Sequence, residues 1–265
     1  MSIASEITRL QAAKGAIKAA IEGRGVTVGD GTIDTYAEKI GLIEVGDYNQ
    51  GYADGKRDEH DTFWNAYQEG GERIDYGRAF NGAGWTDANF KPKYAIQPTT
   101  ASNMFNKSGI ANIKPALVAS GVRLDTSHAT NLESIFESAA ATEIPAISFE
   151  SCTGLKYTFY GANKCVTIDK LILRADGSNT FQSAFANTTA LENIVIEGTI
   201  GQNGFNVGHS KKLTHDSLMS IITALADYSA DTSGTKWVVT LGTQNLEKLT
   251  DAEKLIATEK GWTLA

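Results

Sequence analysis

One short motif recurs in the second half of the chain, and it constrains the fold more than any other feature. The motif occurs as Leu132-Glu-Ser-Ile-Phe136, Leu155-Lys-Tyr-Thr-Phe159 and Phe181-Gln-Ser-Ala-Phe185, at intervals of 23 and 26 residues. Met104-Phe105 is a degenerate earlier copy. Each repeat of this length leaves an apolar side that only the next repeat covers, so the sequence predicts a stacked array of repeats.

Short β-branched runs between the copies identify the kind of array. They are Val166-Thr-Ile168, Leu171-Ile-Leu173 and Ile194-Val-Ile196. Repeats of about 20–29 residues with Leu-x-x-Ile-x-Ile pieces are typical of a leucine-rich solenoid, in which each repeat contributes one rung. The copies differ in length, which leaves the number of rungs open.

A second, overlapping motif carries a resemblance to a known family. It occurs as Phe149-Glu-Ser-Cys-Thr-Gly-Leu155 and Phe185-Ala-Asn-Thr-Thr-Ala-Leu191. The pattern Phe-x-x-Cys/Thr-x-x-Leu-x-x-Ile-x-Ile resembles the BspA-like leucine-rich repeats of bacterial surface and phage proteins, over about residues 102–213. The resemblance implies that Cys152 packs inside a turn and that Thr188 takes the equivalent place.

The first residues predict a helix with one apolar seam, from about Ser2 to Glu22. The seam consists of Ile3, Ile7, Leu10, Lys14, Ile17 and Ile21, with gaps that alternate between four and three. Isoleucine at both core positions favours three or more strands over two, and Lys14 would set the register. Isolated helices below ~12–15 residues are only marginally stable in water, and the predicted helix is only slightly longer. We therefore expect this helix to pack on sister chains or, alternatively, within its own chain.

The pieces after this helix resemble a known kind of N-terminus. Gly25-Val-Thr-Val28 is short and extended, and Ile33, Tyr36, Ile40 and Ile43 share one face of a second helix. With Glu6-Ile-Thr-Arg-Leu-Gln-Ala-Ala-Lys14, they resemble the N-termini of tail and other virion proteins of phages of Gram-positive bacteria. The usual proline after Val-x-Val is replaced by Gly29. The resemblance implies an oligomerising or anchoring unit over residues 1–45.

Residues 46–100 are rich in aromatic side chains. The sequence predicts a helix that begins at about Tyr48 or, alternatively, after Gly55, and that ends at about Glu69. A loop follows, and it carries Tyr76, Phe80, Trp85, Phe90 and Tyr94. Trp64 and Trp85 are candidate sugar-stacking rings, although core or interface packing is the favoured interpretation. Tyr48-Asn-Gln-Gly-Tyr-Ala-Asp-Gly55 and Ala83-Gly-Trp-Thr-Asp87 resemble the middle of phage tail proteins of the same group.

Residues 213–265 predict an α/β cap. Thr214 is expected to cap a helix that turns Leu218, Ile221, Ile222 and Leu225 inward. Thr250-Asp-Ala-Glu253 has the spacing of a capping box, and strands are expected at residues 237–241 and 262–264. Leu213-Thr-His-Asp-Ser-Leu-Met-Ser-Ile221 and Lys248-Leu-Thr-Asp-Ala-Glu-Lys254 resemble the ends of BspA-like proteins from the same phages.

Composition and charge exclude some classes of function. The 265-residue chain has a net charge of −7 without a basic stripe, which argues against a nucleic-acid partner. No apolar run approaches the ~20 residues of a membrane span, and the start lacks a Sec signal. Cys152 and Cys165 have no Cys or His partners at ligand spacing. Buried, reduced thiols are favoured over a disulfide or a zinc site.

Catalytic motifs are absent from the sequence. Gly-x-Ser-x-Gly, His-Glu-x-x-His and phosphate-loop patterns do not occur, so no catalytic, cofactor-binding or metal-binding residue is assigned. His215 is expected to cap or pack rather than to catalyse. Asp58-Glu-His60-Asp61 is expected to form a solvated helix face rather than a cation site, because these side chains cannot all face one way.

These patterns together predict an α+β protein in four parts, at residues 1–45, 46–100, 101–212 and 213–265. The predicted function is that of a non-enzymatic, trimeric tail or fibre component of a tailed phage, which resides in the virion and is assembled in the host cytoplasm. Its expected partners are copies of itself, other phage structural proteins and host-surface polysaccharide or protein. The alternatives are a capsid-attached fibre or decoration protein, a bacterial adhesin, or a wall-polysaccharide depolymerase.

Overall fold

Residues 11–19, 74–92 and 95–265 are described by the computed structural model of the chain. The chain divides into two compact units, Met1–Phe63 and Trp64–Ala265. In the first unit, residues 11–19 form helix α1, which carries the predicted seam residues Lys14 and Ile17.

Several predictions fall outside the described residues. They are the seam residues Ile3, Ile7, Leu10 and Ile21, the predicted helices at 33–43 and 48–69, and Trp64. The coiled coil and the trimer therefore stay predictions.

The second unit is a mixture of helices and parallel strands without a closed sheet. Its elements are β1 (Ile74–Asp75), β2 (Pro98–Thr100), α2 (Ile113–Ala119), β3 (Glu143–Ile144), β4 (Ile147–Ser148), β5 (Thr167–Ile172), β6 (Asn193–Glu197), α3 (His215–Thr223), β7 (Trp237–Val239), α4 (Thr243–Leu246), α5 (Asp251–Glu259) and β8 (Trp262–Leu264). All pairs among these strands are parallel. We call the succession of turns from residue 74 to residue 265 the stacked array.

The central sheet spans three successive turns. β3 and β4 both pair with one edge of β5, and β6 pairs with the other edge. Ile168 on β5 stands opposite Ile194 on β6, and both side chains are buried. The inward-facing residues of neighbouring strands therefore form one continuous apolar layer.

Helices cover both edges of this sheet. On α3, the hydroxyl oxygens of Ser217 and Ser220 accept hydrogen bonds from the backbone amides of Ile194 (3.0 Å) and Ile196 (2.8 Å) on β6. At the other edge α2 packs beside β3, and Lys114 Nζ lies 3.1 Å from Glu143 Oε2. Unpaired strand edges are templates for aggregation, and these helices occupy them instead of further strands.

Opposite the sheet, phenylalanine rings stack through the interior. Successive ring centroids lie 5.0 to 5.9 Å apart, and every ring is buried. We call these six residues the phenylalanine ladder: Phe80, Phe105, Phe136, Phe159, Phe185 and Phe205. The last residues of the three clear motif copies, Phe136, Phe159 and Phe185, are neighbours in it.

The turns around the phenylalanine ladder share one backbone shape. The residues two before and two after each of the first five phenylalanines have left-handed backbone, with φ between 50° and 92°. They are Arg78, Gly82, Asn103, Lys107, Ser134, Ser138, Tyr157, Gly161, Ser183 and Asn187. Backbone amides join each turn to the next, as Phe136 N donates to Thr158 O at 2.9 Å. Most of these residues are not glycine, so the shape is imposed by stacking.

The stacking begins earlier than the predicted boundary at residue 101. β1 pairs with β2, and Phe80 stacks on Phe105 with centroids 5.0 Å apart. The segment 74–92, predicted as part of a connector, is thus an additional turn of the array. Asn206 pairs with Thr240 in a parallel bridge, so the stacking also continues past the predicted boundary at residue 213.

The predicted helix caps near the end of the chain are confirmed. Thr214 Oγ1 accepts a hydrogen bond from Ser217 N, and Thr250 and Glu253 form a reciprocal capping box. The predicted strand at residues 237–241 is shorter, since β7 ends at Val239. β7 pairs with β8 in parallel and forms the last turn of the array.

Candidate functional site

Trp85 is an interior ring. Its side chain is 6% exposed, and its ring meets Phe80 edge to face at 5.1 Å. A ring that stacks on a sugar must present its face to solvent. The burial of Trp85 therefore favours the core interpretation over a sugar-stacking role.

The two cysteines are free and buried, as the sequence predicts. Burial raises the pKa of the Cys152 thiol to about 11 and that of Cys165 to about 12. Cys152 Sγ donates to Ala129 O on the preceding turn at 2.9 Å. Because the thiolate is the reactive form, neither side chain is a nucleophile near neutral pH.

His215 joins two helices. Its Nε2 lies 2.8 Å from Glu253 Oε1, so the start of α3 is tied to the start of α5. The Glu253 carboxylate raises the pKa of His215, while the Thr250 backbone amide is the main cause of the lowered pKa of Glu253. The contact has the packing role that the sequence predicts for His215.

Two tyrosines on the turn surface were missed by the sequence reasoning. Tyr157 and Tyr160 flank the buried Phe159, and both are half-buried. Their rings meet edge to face, with centroids 5.7 Å apart and planes at 80°. We call Lys156, Tyr157 and Tyr160 the tyrosine patch.

The single charge in the tyrosine patch is paired. Lys156 Nζ lies 2.6 Å from Glu133 Oε1 on the preceding turn, and the carboxylate raises the pKa of Lys156. The same ammonium lies 5.5 Å from the centroid of the Tyr157 ring, within the range of a cation–π contact. The tyrosine patch is thus locally neutral, with its cation held at one border.

Serine takes the place of Tyr157 in both adjacent turns of the stack. Ser134 and Ser183 stand two residues before the ladder phenylalanines of the adjacent turns, as Tyr157 does before Phe159. Ser134 is buried, whereas Ser183 and Asn187 on the following turn are exposed. Surfaces built from Tyr, Ser, Gly and Asn are typical of adaptable recognition sites, because tyrosine adds contact area while losing little rotamer freedom.

The backbone of Tyr157 is unusual for so large a residue. Its φ is 52°, in the left-handed region that disfavours bulky L-residues. Serine fills the equivalent place in both adjacent turns, so the fold does not require an aromatic ring there. The same left-handed backbone occurs at the equivalent positions of other turns, including Arg78, so the ring of Tyr157 and not its backbone distinguishes this position.

The repeat motif itself carries a signal for this patch. When the motif copies are aligned, Ser134-Ile and Ser183-Ala correspond to Tyr157-Thr. Tyr157 is thus the one large residue at a position where the neighbouring copies have serine.

Across residues 11–19, 74–92 and 95–265, no three His, Cys, Asp or Glu side chains are grouped to hold a metal ion. Within those ranges no helix has both the length and the apolar character to cross a bilayer. Comparison of the chain with protein-family models, with curated proteins and with solved structures finds no match.

Proposed function

We propose that this chain is a non-enzymatic structural protein of a tailed phage of Gram-positive bacteria, and that it projects a repeat domain for attachment to the host surface. The phage assignment is supported by the N-terminal pieces around Gly25-Val-Thr-Val28 and by the motifs at residues 213–221 and 248–254. In the proposal, residues 1–45 attach the subunit to a tail or fibre.

The single observation that carries the attachment role is the continuity of the stacked array. Parallel pairing and stacked rings run from Ile74 to the last strand, Trp262–Leu264, and the repeat is a leucine-rich solenoid of the BspA-like kind in this proposal. Solenoids expose long, regularly spaced surfaces, and these surfaces are what such proteins use for binding. The tyrosine patch lies on one of them.

A trimer is the proposed assembly of the N-terminal unit. On the described helix α1, the seam residue Ile17 is 38% exposed. An exposed isoleucine at a core position of a heptad pattern supports packing against another helix. Sister chains supply that helix in the proposal.

Labelling of phage particles tests the proposal directly. Particles carrying this protein would be incubated with an antibody raised against residues 213–265 and imaged by electron microscopy. We expect label at the projecting ends of the tail or its fibres. Label over the capsid would instead identify a capsid-attached fibre or decoration protein, and intact particles without label would contradict a virion role.

A further inference from the structure

We propose that the tyrosine patch binds a neutral, hydroxyl-rich polysaccharide chain. The inference rests on the proposed attachment function and names the class of ligand. It is carried by the paired rings of Tyr157 and Tyr160 on the turn surface.

The geometry of the two rings suits a pyranose. Aromatic faces carry partial negative charge, and they attract the polarised C–H groups on the flat face of a sugar ring. The planes of Tyr157 and Tyr160 stand at 80° to each other, so the edge of one ring meets the face of the other and each ring keeps one further face for a ligand in this proposal. A sugar packed on one face would lie within reach of the other phenol.

Charge in and around the patch favours a neutral ligand. Lys156 is held by Glu133 at 2.6 Å. An anionic polysaccharide would have to displace Glu133 from Lys156 and would then face the freed carboxylate, which is electrostatically unfavourable.

Neutral polar groups continue beyond the rings. Gln182, Ser183 and Asn187 are exposed on the following turn, and their side chains provide amide and hydroxyl groups. Sugar hydroxyls both donate and accept hydrogen bonds, so they match such groups without requiring a net charge. The patch thus combines stacking rings with neutral hydrogen-bonding groups.

A protein partner fits this surface less well. The core of a protein interface is normally apolar and depleted of charge. In the second unit the exposed large aliphatic residues of the described part are Val118, Val195 and Leu255, and none lies in the segments 132–138, 155–161 and 181–187 that hold the ladder phenylalanines nearest Tyr157. Two half-buried rings among polar residues are a small apolar area for a protein, whereas one or two rings suffice for a sugar.

Affinity electrophoresis of the full chain tests this inference. The protein would be run in native gels containing glucan, galactan, mannan or rhamnan as neutral probes, and polygalacturonate as the acidic probe. We expect at least one neutral polysaccharide to retard the protein, and Tyr157→Ser and Tyr160→Ala to weaken that retardation by about tenfold, the scale of one lost ring contact.

The variants are chosen so that folding stays intact. Tyr157→Ser installs the residue that Ser134 and Ser183 place at equivalent positions, and its melting temperature should equal or exceed that of the parent. Leu255→Ser is the matched control, because it removes a 52% exposed apolar side chain from α5. This control should be retarded as strongly as the parent chain.

Three results would overturn the inference. They are retardation by none of the neutral polysaccharides, retardation by polygalacturonate alone, and equal retardation of parent and tyrosine variants. A protein receptor would be indicated if binding to host cells resisted periodate but not protease. Antibody labelling of particles does not depend on Tyr157 or Tyr160, so the proposed function and the ligand class fail separately.

Discussion

Thr126 and Ser148 lie on successive turns of the stacked array and bond to each other twice. Thr126 Oγ1 donates to Ser148 O at 3.0 Å and accepts from Ser148 N at 2.7 Å. Thr158 is equally buried, yet its hydroxyl has no hydrogen-bond partner among the described residues. Replacing each threonine with valine should therefore change the free energy of unfolding in opposite directions.

Thr158→Val should stabilise the protein. Valine keeps the shape of the side chain and removes an unsatisfied hydroxyl, so we expect the free energy of unfolding to rise by about 1 kcal/mol. Thr126→Val is the matched control, and it should lower that free energy by about 1–3 kcal/mol because it leaves the Ser148 amide unbonded. Urea titrations would measure both, and a destabilised Thr158→Val would contradict the account.

Gly198→Ala should destabilise the array strongly. Gly198 has φ of 92°, and an added Cβ would overlap the Leu173 carbonyl on the neighbouring turn. Gly204 has φ of 96° with nothing near the Cβ position, so Gly204→Ala measures the cost of the left-handed backbone alone, without a steric overlap. We expect a loss of about 1–2 kcal/mol at Gly204 and at least about 2 kcal/mol more at Gly198, from thermal unfolding. Equal losses of stability in the two variants would mean that the neighbouring turns move apart easily enough to accept the added Cβ at residue 198.

His215 should make stability depend on pH. Its pKa is raised in the folded protein by Glu253, so its contribution is fully present below the unfolded pKa of about 6.5 and disappears as pH rises through the folded pKa. The pKa of Glu253 is lowered, so its contribution disappears at the acidic end. The melting-temperature difference between parent and His215→Gln should be larger at about pH 5.5 than at about pH 8. A difference independent of pH would contradict the ion pair.

Neither thiol should react in the folded protein. The raised pKa values of about 11 for Cys152 and about 12 for Cys165 leave almost no thiolate at neutral pH. We expect Ellman's reagent to modify neither thiol in native buffer and both after denaturation. Rapid modification of either cysteine in native buffer would show that the surrounding turns open readily.

The N-terminal seam should control assembly. Ile7→Asp with Ile17→Asp places carboxylates at two core positions, so we expect loss of the trimer and of incorporation into particles. Light scattering should give three times the 28.4 kDa chain mass for the parent, and the chain mass for the variant. Circular dichroism of the variant should keep the strand signal of the second unit. A parent mass near 28.4 kDa would contradict the trimer.

Much of the second unit was predictable, because its signals are local. The helix caps at Thr214 and Thr250 depend on residues within one helical turn. The strands β5 and β6 were indicated by short runs rich in β-branched side chains. The motif phenylalanines were found by their spacing, since identical environments in successive turns select the same side chain.

The first turn of the array was not predictable in the same way. The left-handed backbone at Arg78 leaves little trace in sequence, because only glycine and asparagine are strong signals for it. Phe80 therefore stood among other aromatic residues without a recognisable motif. The tyrosine patch was missed because tryptophan and titratable residues are the usual signals of a site, and Tyr157 is distinguished only by comparison with its own repeats.

The phenylalanine ladder also determines which part of the stacked array unfolds first. Within the ladder each ring contacts the ring before and the ring after, so cohesion along the stack is a chain of nearest-neighbour links, and the two end rings are held further by Trp85 and Phe90 at Phe80 and by Phe181 at Phe205. Phe136→Ala breaks two links inside the ladder, whereas Phe80→Ala breaks one ladder link at the end, together with the contacts of Phe80 to Trp85 and Phe90. Under mechanical load or protease, such a molecule would fray from its ends inward. The surface around Tyr157 lies beside Phe159, the fourth of the six rings, and would therefore unfold later than the turns at either end.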